Sequence, residues 1–346
     1  MNLNNRITLF VKLGRFFSDY INNNLESLEK NKFDKAINES ILHNSFFSKK
    51  NILKSLLSWS NVLTKKSIDD FLSNYLIKNK KREKKIAIIM AGNIPLVGFH
   101  DFFCVIISGN FAVIKLSSKD SHLFKFILSF LVKENPDFDT KFDVVESKLQ
   151  IFDAVIATGN NISANQFELY FKKYPKIIRK NRHSIAILNG NETKKEIELL
   201  ANDIFYYYGL GCRNVSKIFI PNNYNLDILF KSFVLWNEVI NKNSYSNNYN
   251  YYRAIYLLNK EVFFDNGFVL LKESEKIGSP VGTIYFEYYK SDNQIKEMIK
   301  KNNEKIQCIV SNNNYPKTIK FGETQMPNLN DFADDIDTLN FLLKLN

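Results

Sequence analysis

Short apolar runs alternate with amphipathic stretches along most of this chain. The runs are rich in Ile and Val and end at Gly, Asn, Ser or Thr, a pattern typical of strands that are buried on both faces. Buried strands are therefore expected at residues 85–90, 111–115, 151–157, 185–188, 217–221, 282–286 and 306–310.

The stretches between these runs predict helices. A helix is expected after the turn at residues 91–95, ending at about Ser108, and further helices are expected over residues 192–208 and 291–301. A strand, a helix and a second strand in succession form a parallel βαβ unit. The expected fold is α/β, with parallel sheets and crossover helices. Residues 241–252, rich in Asn, Ser and Tyr, are predicted to form a polar loop.

The first 80 residues carry mostly helical patterns. Near the amino terminus, apolar residues at helical spacing have Lys12 and Arg15 between them, which indicates an amphipathic helix rather than a signal peptide. No membrane span is predicted, because Asn93 and Asp101 interrupt the most apolar stretch. Residues 1–80 are expected to be a helical N-terminal segment, and the cytoplasm is the expected compartment.

Composition narrows the class of protein. With 346 residues, 45% of them hydrophobic, the chain can bury a core for about two domains. The formal charge of +11 raises the possibility of a basic nucleic-acid-binding protein. Lys is accompanied by an excess of Asn, Ile, Phe and Tyr, however, and no nucleic-acid motif is present, so no nucleic-acid partner is expected. The basic run at residues 80–85 is expected to be the solvated approach to a strand, with anchoring of an anionic ligand as the alternative.

The cysteines and histidines predict neither a disulfide nor a metal site. Three cysteines without a CxxC pair are typical of a reduced protein. Cys104 falls in an apolar helix and Cys308 in a buried strand, so both are expected in the core. His43, His100 and His122 are scattered without metal-ligand spacing and are expected to be structural or surface residues.

Cys212 has the surroundings of a nucleophile. Gly209 and Gly211 would let a substrate approach the backbone closely, and the neighbouring Arg213 favours the reactive thiolate. A free cysteine is equally often a small buried residue, so the local sequence leaves both interpretations open.

An ordered set of motifs resembles the aldehyde dehydrogenase superfamily, and more closely its acyl-CoA reductase branch, the LuxC-like fatty acyl reductases. The motifs are Gly-Asn-Ile-Pro-Leu at 92–96, Ser-Gly-Asn-Phe-Ala-Val-Ile-Lys at 108–115, Ala-Thr-Gly at 157–159, Gly-Leu-Gly-Cys at 209–212, Ser-Pro-Val-Gly at 279–282, Phe-Gly-Glu-Thr-Gln-Met-Pro at 321–327, and Asp-Asp-Ile-Asp-Thr at 334–338. The resemblance covers roughly residues 85–346. It implies an aldehyde dehydrogenase-like fold. The expected domains are a Rossmann-type cofactor domain over residues 81–184, completed by about residues 316–346, and a catalytic domain over residues 185–315 that carries the nucleophilic cysteine.

The resemblance also assigns catalytic roles. Cys212 is the nucleophile that would accept an acyl group from a thioester. Asn93 matches the asparagine of the oxyanion hole, with the backbone N–H of Cys212 as the second donor. A turn residue before Pro95 is the simpler use of Asn93, and the two roles are compatible.

A nicotinamide cofactor follows from the same resemblance. The implied cofactor-binding residues are Lys115, Ser117, Ser118, Lys119, Thr158 and Gly159. Lys115 matches the lysine that holds the adenosine ribose, and Thr158 and Gly159 match the turn near the pyrophosphate. Ser118 stands where NAD-preferring relatives often carry a glutamate, and Lys119 is adjacent. A 2′-phosphate would not be repelled there, so NADPH is the expected cofactor.

One departure from the superfamily bears on the reaction. Hydrolytic members place a water-activating glutamate in the segment that matches residues 176–184, and no carboxylate is present there. The acyl-enzyme should then be held for exchange with coenzyme A and for reduction by hydride. Glu273 or Glu275 could still fold back to activate water. The basic residues of the segment either face the phosphates of coenzyme A or are solvated.

The sequence thus predicts an NADPH-dependent fatty acyl-CoA reductase that acts on acyl-CoA or another acyl thioester. An acyltransferase or an acyl-phosphate reductase that uses the same cysteine is the alternative enzyme. A homodimer or a partner acyltransferase is an expectation that comes from the family alone.

Overall fold

The computed structural model describes residues 1–77, 83–146 and 148–345. Two compact units make up the chain. Unit 1 comprises Met1–Lys180 and Pro327–Asn346, and unit 2 comprises Asn181–Met326. The expected boundary at residue 80 and the first part of the basic run lie outside the described residues. The domain limits given by the sequence stay predictions.

Both units alternate helices and strands. Within the described residues the helices are α1 (Leu3–Ile21), α2 (Ser27–His43), α3 (Lys49–Val62), α4 (Lys65–Leu72), α5 (Phe99–Ile107), α6 (His122–Glu134), α7 (Asn161–Tyr170), α8 (Lys194–Phe205), α9 (Asp227–Phe233), α10 (Asn243–Leu258), α11 (Asp292–Lys301) and α12 (Thr338–Leu343). The strands are β1 (Lys85–Ile89), β2 (Phe111–Lys115), β3 (Phe142–Val144), β4 (Ala154–Thr158), β5 (Lys176–Arg179), β6 (His183–Ile187), β7 (Val215–Pro221), β8 (Phe264–Asp265), β9 (Leu270–Glu273), β10 (Thr283–Tyr289), β11 (Ile306–Val310) and β12 (Thr318–Ile319).

Unit 1 contains a five-stranded parallel sheet in the order β3-β2-β1-β4-β5. The chain starts in the middle at β1, proceeds outward through β2 and β3, and then returns to the other side of β1 for β4 and β5. The strand order therefore reverses between β1 and β4. In open parallel sheets, ligands bind at such a reversal, beyond the carboxyl ends of the strands.

The N-terminal helices share one apolar core with this sheet. Phe10 of α1 is fully buried, and its ring lies edge-on to those of Phe99 and Phe103 in α5, at centroid distances of 6.1 and 4.9 Å. The same helix carries the buried Arg6, whose Nη1 donates to the carbonyl oxygen of Ile106 at 3.1 Å and satisfies the end of α5. The N-terminal helices are thus part of the packed apolar core of unit 1.

Residues beyond 326 complete unit 1 through a buried ion pair. Arg179, at the end of β5, contacts both carboxylate oxygens of Asp101 in α5, at 2.6 and 3.2 Å. It also donates to Thr338 Oγ1 at 2.7 Å and to the carbonyl oxygen of Ala333 at 2.6 Å. Burial alone would lower the pKa of Arg179, but the carboxylate of Asp101 outweighs burial and the pKa is raised.

Unit 2 contains a seven-stranded sheet in the order β12-β11-β6-β7-β10-β9-β8. All pairs are parallel except β8 with β9, so the predicted α/β class with parallel sheets is confirmed.

The prediction of a polar loop at residues 241–252 is wrong, because residues from Asn243 onward form α10. Tyr245, Tyr249 and Tyr256 recur at helical spacing and are buried in the core of unit 2. The tyrosine rings supply an apolar face that the Asn and Ser residues between them conceal in the sequence.

Candidate active site

The backbone before Cys212 reverses direction through an unusual run of conformations. The predicted helix over residues 192–208 ends at Phe205, and Tyr207, Tyr208 and Gly209 follow with φ of 53°, 57° and 77°. A side chain at Gly209 would have space, so the positive φ is the reason for the glycine. Two tyrosines in the left-handed region cost of order 1–3 kcal/mol each. The surrounding contacts must hold the loop in place.

Asn214 is the residue that holds this loop. It is 1% exposed, and its Oδ1 accepts the N–H of Gly211 at 2.8 Å. Its side-chain NH₂ faces the carbonyl oxygens of Asp203, Ile204 and Tyr206 at 3.0, 3.2 and 2.8 Å. One amide thus joins the end of α8 to the turn that carries the cysteine. Sequence reasoning missed Asn214, although its short spacing from Gly211 is a local signal.

Partial exposure distinguishes Cys212 from the other two cysteines. Cys104 and Cys308 are buried, whereas Cys212 is half-buried, and none of the three forms a disulfide. Burial raises the pKa of Cys104 well above its ordinary value, which disfavours its thiolate. The carbonyl oxygen of Cys212 accepts the hydroxyl of Ser184 in β6 at 3.0 Å, and this hydroxyl also contacts Cys308 Sγ at 2.9 Å.

A second segment is fixed beside the cysteine loop. Arg213 Nε donates to the carbonyl oxygen of Thr324 at 2.5 Å. The buried carboxylate of Asp203 accepts the N–H of Gly322 at 2.7 Å, and the N–H and hydroxyl of Thr324 at 3.0 and 2.8 Å. The cation next to Cys212 therefore also positions residues 322–324, a role that sequence reasoning did not assign.

Unit 1 collects the other predicted site residues at one edge of its sheet. Because β2, β1 and β4 are parallel neighbours, their carboxyl ends lie side by side. The residues at these ends are Asn93 after β1, Lys115, Ser117, Ser118 and Lys119 at the end of β2, and Thr158 and Gly159 at the end of β4. Asn93, Ser118 and Lys119 are exposed, and the other four are half-buried. This edge coincides with the reversal of strand order.

The loops after β1 and β2 touch each other. A Cβ placed on Gly92 would lie 2.5 Å from Ser117 Oγ, so only glycine permits this approach. Asn44, which follows α2, donates through Nδ2 to the carbonyl oxygens of Gly92 at 2.8 Å and Lys119 at 3.2 Å. Its Oδ1 accepts the N–H of Phe46 at 2.9 Å. One buried side chain thus ties together the loops that carry Asn93 and the predicted ribose-binding residues.

Two further side chains hold the turn after β1. Ser55 Oγ in α3 donates to the carbonyl oxygen of Pro95 at 3.0 Å. Asp120 Oδ2 accepts the N–H of Leu96, a residue with φ of 58°, at 2.7 Å. In the described part of the chain, Asp120 Oδ1 has no hydrogen-bond partner. Burial raises the pKa of Asp120 to about 8, so this acid is largely neutral at pH 7.

The third strand end leads into α7. A Cβ on Gly159 would lie 2.9 Å from Ser163 Cβ, so the glycine allows the close approach of strand and helix. Asn160 caps α7 by accepting the N–H of Ser163 at 2.8 Å. The N–H groups at the start of a helix favour an anionic group. Together with the cation of Lys115 and the hydroxyl of Ser117, this donor set fits the phosphates and ribose of a dinucleotide.

The cations of the basic segment at residues 176–184 differ in exposure, since Arg179 is buried and Lys180 is exposed. Arg179 is 4% exposed and engaged in its ion pair. Lys176 pairs with Glu168 at 2.8 Å, and Arg182 Nη1 donates to the carbonyl oxygen of Ile306 at 3.4 Å. The expectation that these cations face phosphates is therefore wrong for Arg179. The two alternative carboxylates, at positions 273 and 275, are both exposed.

The fold is that of the aldehyde dehydrogenases. Aldehyde dehydrogenase 21 from Physcomitrella patens, solved with its product succinate, is 12% identical with a TM-score of 0.68, and the match covers 99% of this chain and 84% of that chain. An aldehyde dehydrogenase from Mycobacterium tuberculosis complexed with NAD⁺ is 10% identical with a TM-score of 0.64, over 94% of this chain and 76% of that chain. These likenesses confirm the expected aldehyde dehydrogenase-like α/β fold.

A family model assigns the chain to one family within this fold. The matched residues, 17–228, make up more than half of the chain, and the family is that of the acyl-CoA reductases (LuxC). The chain belongs to this family, and the resemblance seen in the sequence is confirmed. Membership places it among oxidoreductases that act on aldehydes or acyl groups. Comparison with curated protein sequences gives no match. Among the described residues, no helix has both the length and the apolar character that a membrane crossing requires.

Proposed function

We propose that this protein is an NADPH-dependent fatty acyl-CoA reductase with Cys212 as its nucleophile. The observation that carries the proposal is the half-exposed Cys212 in a loop that Asn214 clamps, within a chain of the acyl-CoA reductase family. Strain held by buried contacts is typical of functional loops. The other two cysteines are buried and lack such a loop.

In the first step, Sγ of Cys212 attacks the carbonyl carbon of the acyl thioester. The bond from that carbon to the sulfur of coenzyme A breaks, and coenzyme A leaves as a thiolate that takes up a proton. The oxyanion that forms in between requires fixed donors. The side-chain amide of Asn93 and the backbone N–H of Cys212 are the donors we assign. The product is an acyl thioester on Cys212.

Lys115, Ser117, Ser118, Lys119, Thr158 and Gly159 are the residues we assign to the cofactor. When bound, NADPH supplies the hydride that reduces the acyl carbon. The reduced carbon then breaks its bond to Sγ, which restores the thiolate of Cys212 and releases the aldehyde. The exposed Ser118 and Lys119 place no carboxylate against a 2′-phosphate.

The acyl-enzyme should survive in water. No carboxylate lies within residues 176–184, and Lys176 and Arg179 are already paired with acids. Without a positioned base, water is a poor nucleophile toward a thioester. Discharge should therefore require either reduction or free coenzyme A.

Mass spectrometry of the intact protein after incubation with acyl-CoAs of several chain lengths tests the proposal. We expect one acyl increment, absent from Cys212→Ala and retained in Cys308→Ala, followed by aldehyde release on addition of NADPH. An increment on another cysteine would overturn the site. Acylation by acyl phosphate alone would favour the alternative reductase, and rapid release of fatty acid without NADPH would reject the mechanism.

A further inference from the structure

Two histidines that are scattered in the sequence meet in unit 1. His43 is the last residue of α2, and His122 is the first residue of α6. Their rings lie 4.3 Å apart between centroids, at an interplanar angle of 36°. Glu39 lies one turn before His43 on the same helix. One ligand atom from each of the three residues lies within 4.8 Å of the others.

The hydrogen bonds around this cluster suit a metal ligand set. His43 Nδ1 bonds to the carbonyl oxygen of Glu39 at 2.9 Å, which orients the ring and leaves Nε2 for a ligand. Ligating histidines usually donate their second nitrogen in this way. Among the described residues, no group hydrogen-bonds the ring nitrogens of His122. The Glu39 carboxylate has only His43 as an ionic partner there, at 3.8 Å.

We propose that Glu39, His43 and His122 bind one divalent transition-metal ion. Two imidazole nitrogens and a carboxylate oxygen form a donor set that Zn²⁺ accepts in a tetrahedral site, with water as the fourth ligand. A glutamate and a histidine four residues apart on one helix face reach the same ion. The three ligand atoms lie within 4.8 Å of one another, and tetrahedral coordination would require side-chain rotation to bring them closer.

The ion would link two segments that the site of unit 1 depends on. His43 precedes Asn44, whose side chain bonds the carbonyl oxygen of Lys119. His122 lies three residues after Lys119 and starts α6. The metal would therefore fasten α2 to the connection between β2 and α6, on both sides of that hydrogen bond. The expected role is to stabilise the loop that carries Ser118 and Lys119, whatever the reaction of the protein.

Calorimetric titration of the chelator-treated full chain with Zn²⁺ tests the site. Cys212→Ser serves as the background, because a half-exposed thiolate also binds zinc. We expect one zinc per chain, and at least about tenfold weaker binding in His43→Gln and in His122→Gln, since even changes outside the ligand set cost 10–100-fold. His183→Gln, a histidine of unit 2, should bind zinc as the background does.

Thermal unfolding provides the second measurement. Zinc should raise the melting temperature of the Cys212→Ser background and of its His183→Gln variant, and leave His43→Gln and His122→Gln unchanged. Absence of zinc binding to the background would overturn the proposal, as would equal affinity in the two ligand variants. Neither result depends on reductase activity.

Discussion

Two buried aspartates hold the two candidate regions of this molecule in different ways. Asp203, beside the cysteine loop, accepts three hydrogen bonds through both carboxylate oxygens. Asp120, beside the strand ends of unit 1, accepts one bond through one oxygen. Both oxygens of the first carboxylate accept hydrogen bonds, whereas burial makes the second group a largely neutral acid at pH 7. The cysteine loop is therefore held through both oxygens of one carboxylate, whereas the turn after β1 is held by an acid whose pKa lies near neutral pH.

The two asparagines that join backbone segments differ in reach as well. Asn214 joins groups that lie within 11 residues of it. Asn44 joins carbonyl groups that lie 48 and 75 residues away. Asn214 shapes one turn of the backbone, whereas a dinucleotide crosses several strand ends whose loops must be aligned over a long stretch of chain. The N-terminal helices provide that alignment.

The largest effect is expected for Asn214. Asn214→Ala leaves one N–H and three carbonyl groups of the cysteine loop without their partner, at a cost of about 2–5 kcal/mol in the free energy of unfolding. Urea unfolding and the rate of Cys212 alkylation measure it. Asn225→Ala, at an exposed asparagine that accepts one backbone N–H, is the matched control. Equal losses in the two variants would contradict the clamping role.

A pH series at the two aspartates sharpens the contrast. The pKa of Asp120 is raised in the fold, so its contribution to stability is full below about pH 4 and is lost as pH rises toward 8. Asp120→Asn imitates the neutral acid. Its advantage over the native chain in the free energy of unfolding should therefore grow by about 2–3 kcal/mol from pH 6 to pH 8. Asp203→Asn should be destabilised throughout. Melting temperatures across the pH series measure both effects. A difference between Asp120→Asn and the native chain that does not change with pH would contradict the neutral state of Asp120.

Removing the side chain of Asn44 should change the stability and ligand binding of unit 1 alone. Asn44→Ala should cost about 1–2 kcal/mol of stability and weaken NADPH binding, while Cys212 alkylation keeps its rate. Fluorescence titration with NADPH and an alkylation time course measure the two effects. Asn22→Ala, at an exposed helix end, should change neither. Slower alkylation in Asn44→Ala would show that the two regions are not supported independently.

The smallest effect concerns the choice of cofactor. Ser118→Glu should shift the ratio of NADPH to NADH use about tenfold toward NADH, because it sets a negative charge against the 2′-phosphate. Ser129→Glu adds the same charge at an exposed position of α6 and should leave the ratio unchanged. A native protein that uses NADH better would overturn this assignment.

Much of the fold could be predicted, because most strands are continuous apolar runs. Residues 111–115 and 306–310 form β2 and β11 within the predicted limits. Strand β5 was missed, since its Lys176 and Arg179 conceal a buried strand whose arginine finds its acid 78 residues away. The tyrosine face of α10 was missed for a similar reason, as amphipathic tyrosines resemble loop residues.

The candidate site also has residues that the sequence indicates and residues that only the tertiary fold brings together. Cys212 and the residues at the strand ends could be chosen as candidates because glycines, a cation and the family motifs lie beside them in the sequence, and their roles stay predictions. Asn44 and Asp120 could not, because their partners are fixed only by the tertiary fold. The tertiary fold also brings together the rings of His43 and His122, which are far apart in the sequence.

The contacts of Arg179 with Ala333 and Thr338 impose an order on biosynthesis. Unit 2 is one continuous stretch, so a ribosome delivers all of it before the last part of unit 1. Domains generally fold as they emerge from the ribosome. Until Thr338 is translated, the guanidinium of Arg179 has only part of its partners, and the neighbouring core lacks α12. A nascent chain that ends before Thr338 would therefore have an incomplete first unit, in which the apolar surface that α12 covers is exposed to a chaperone.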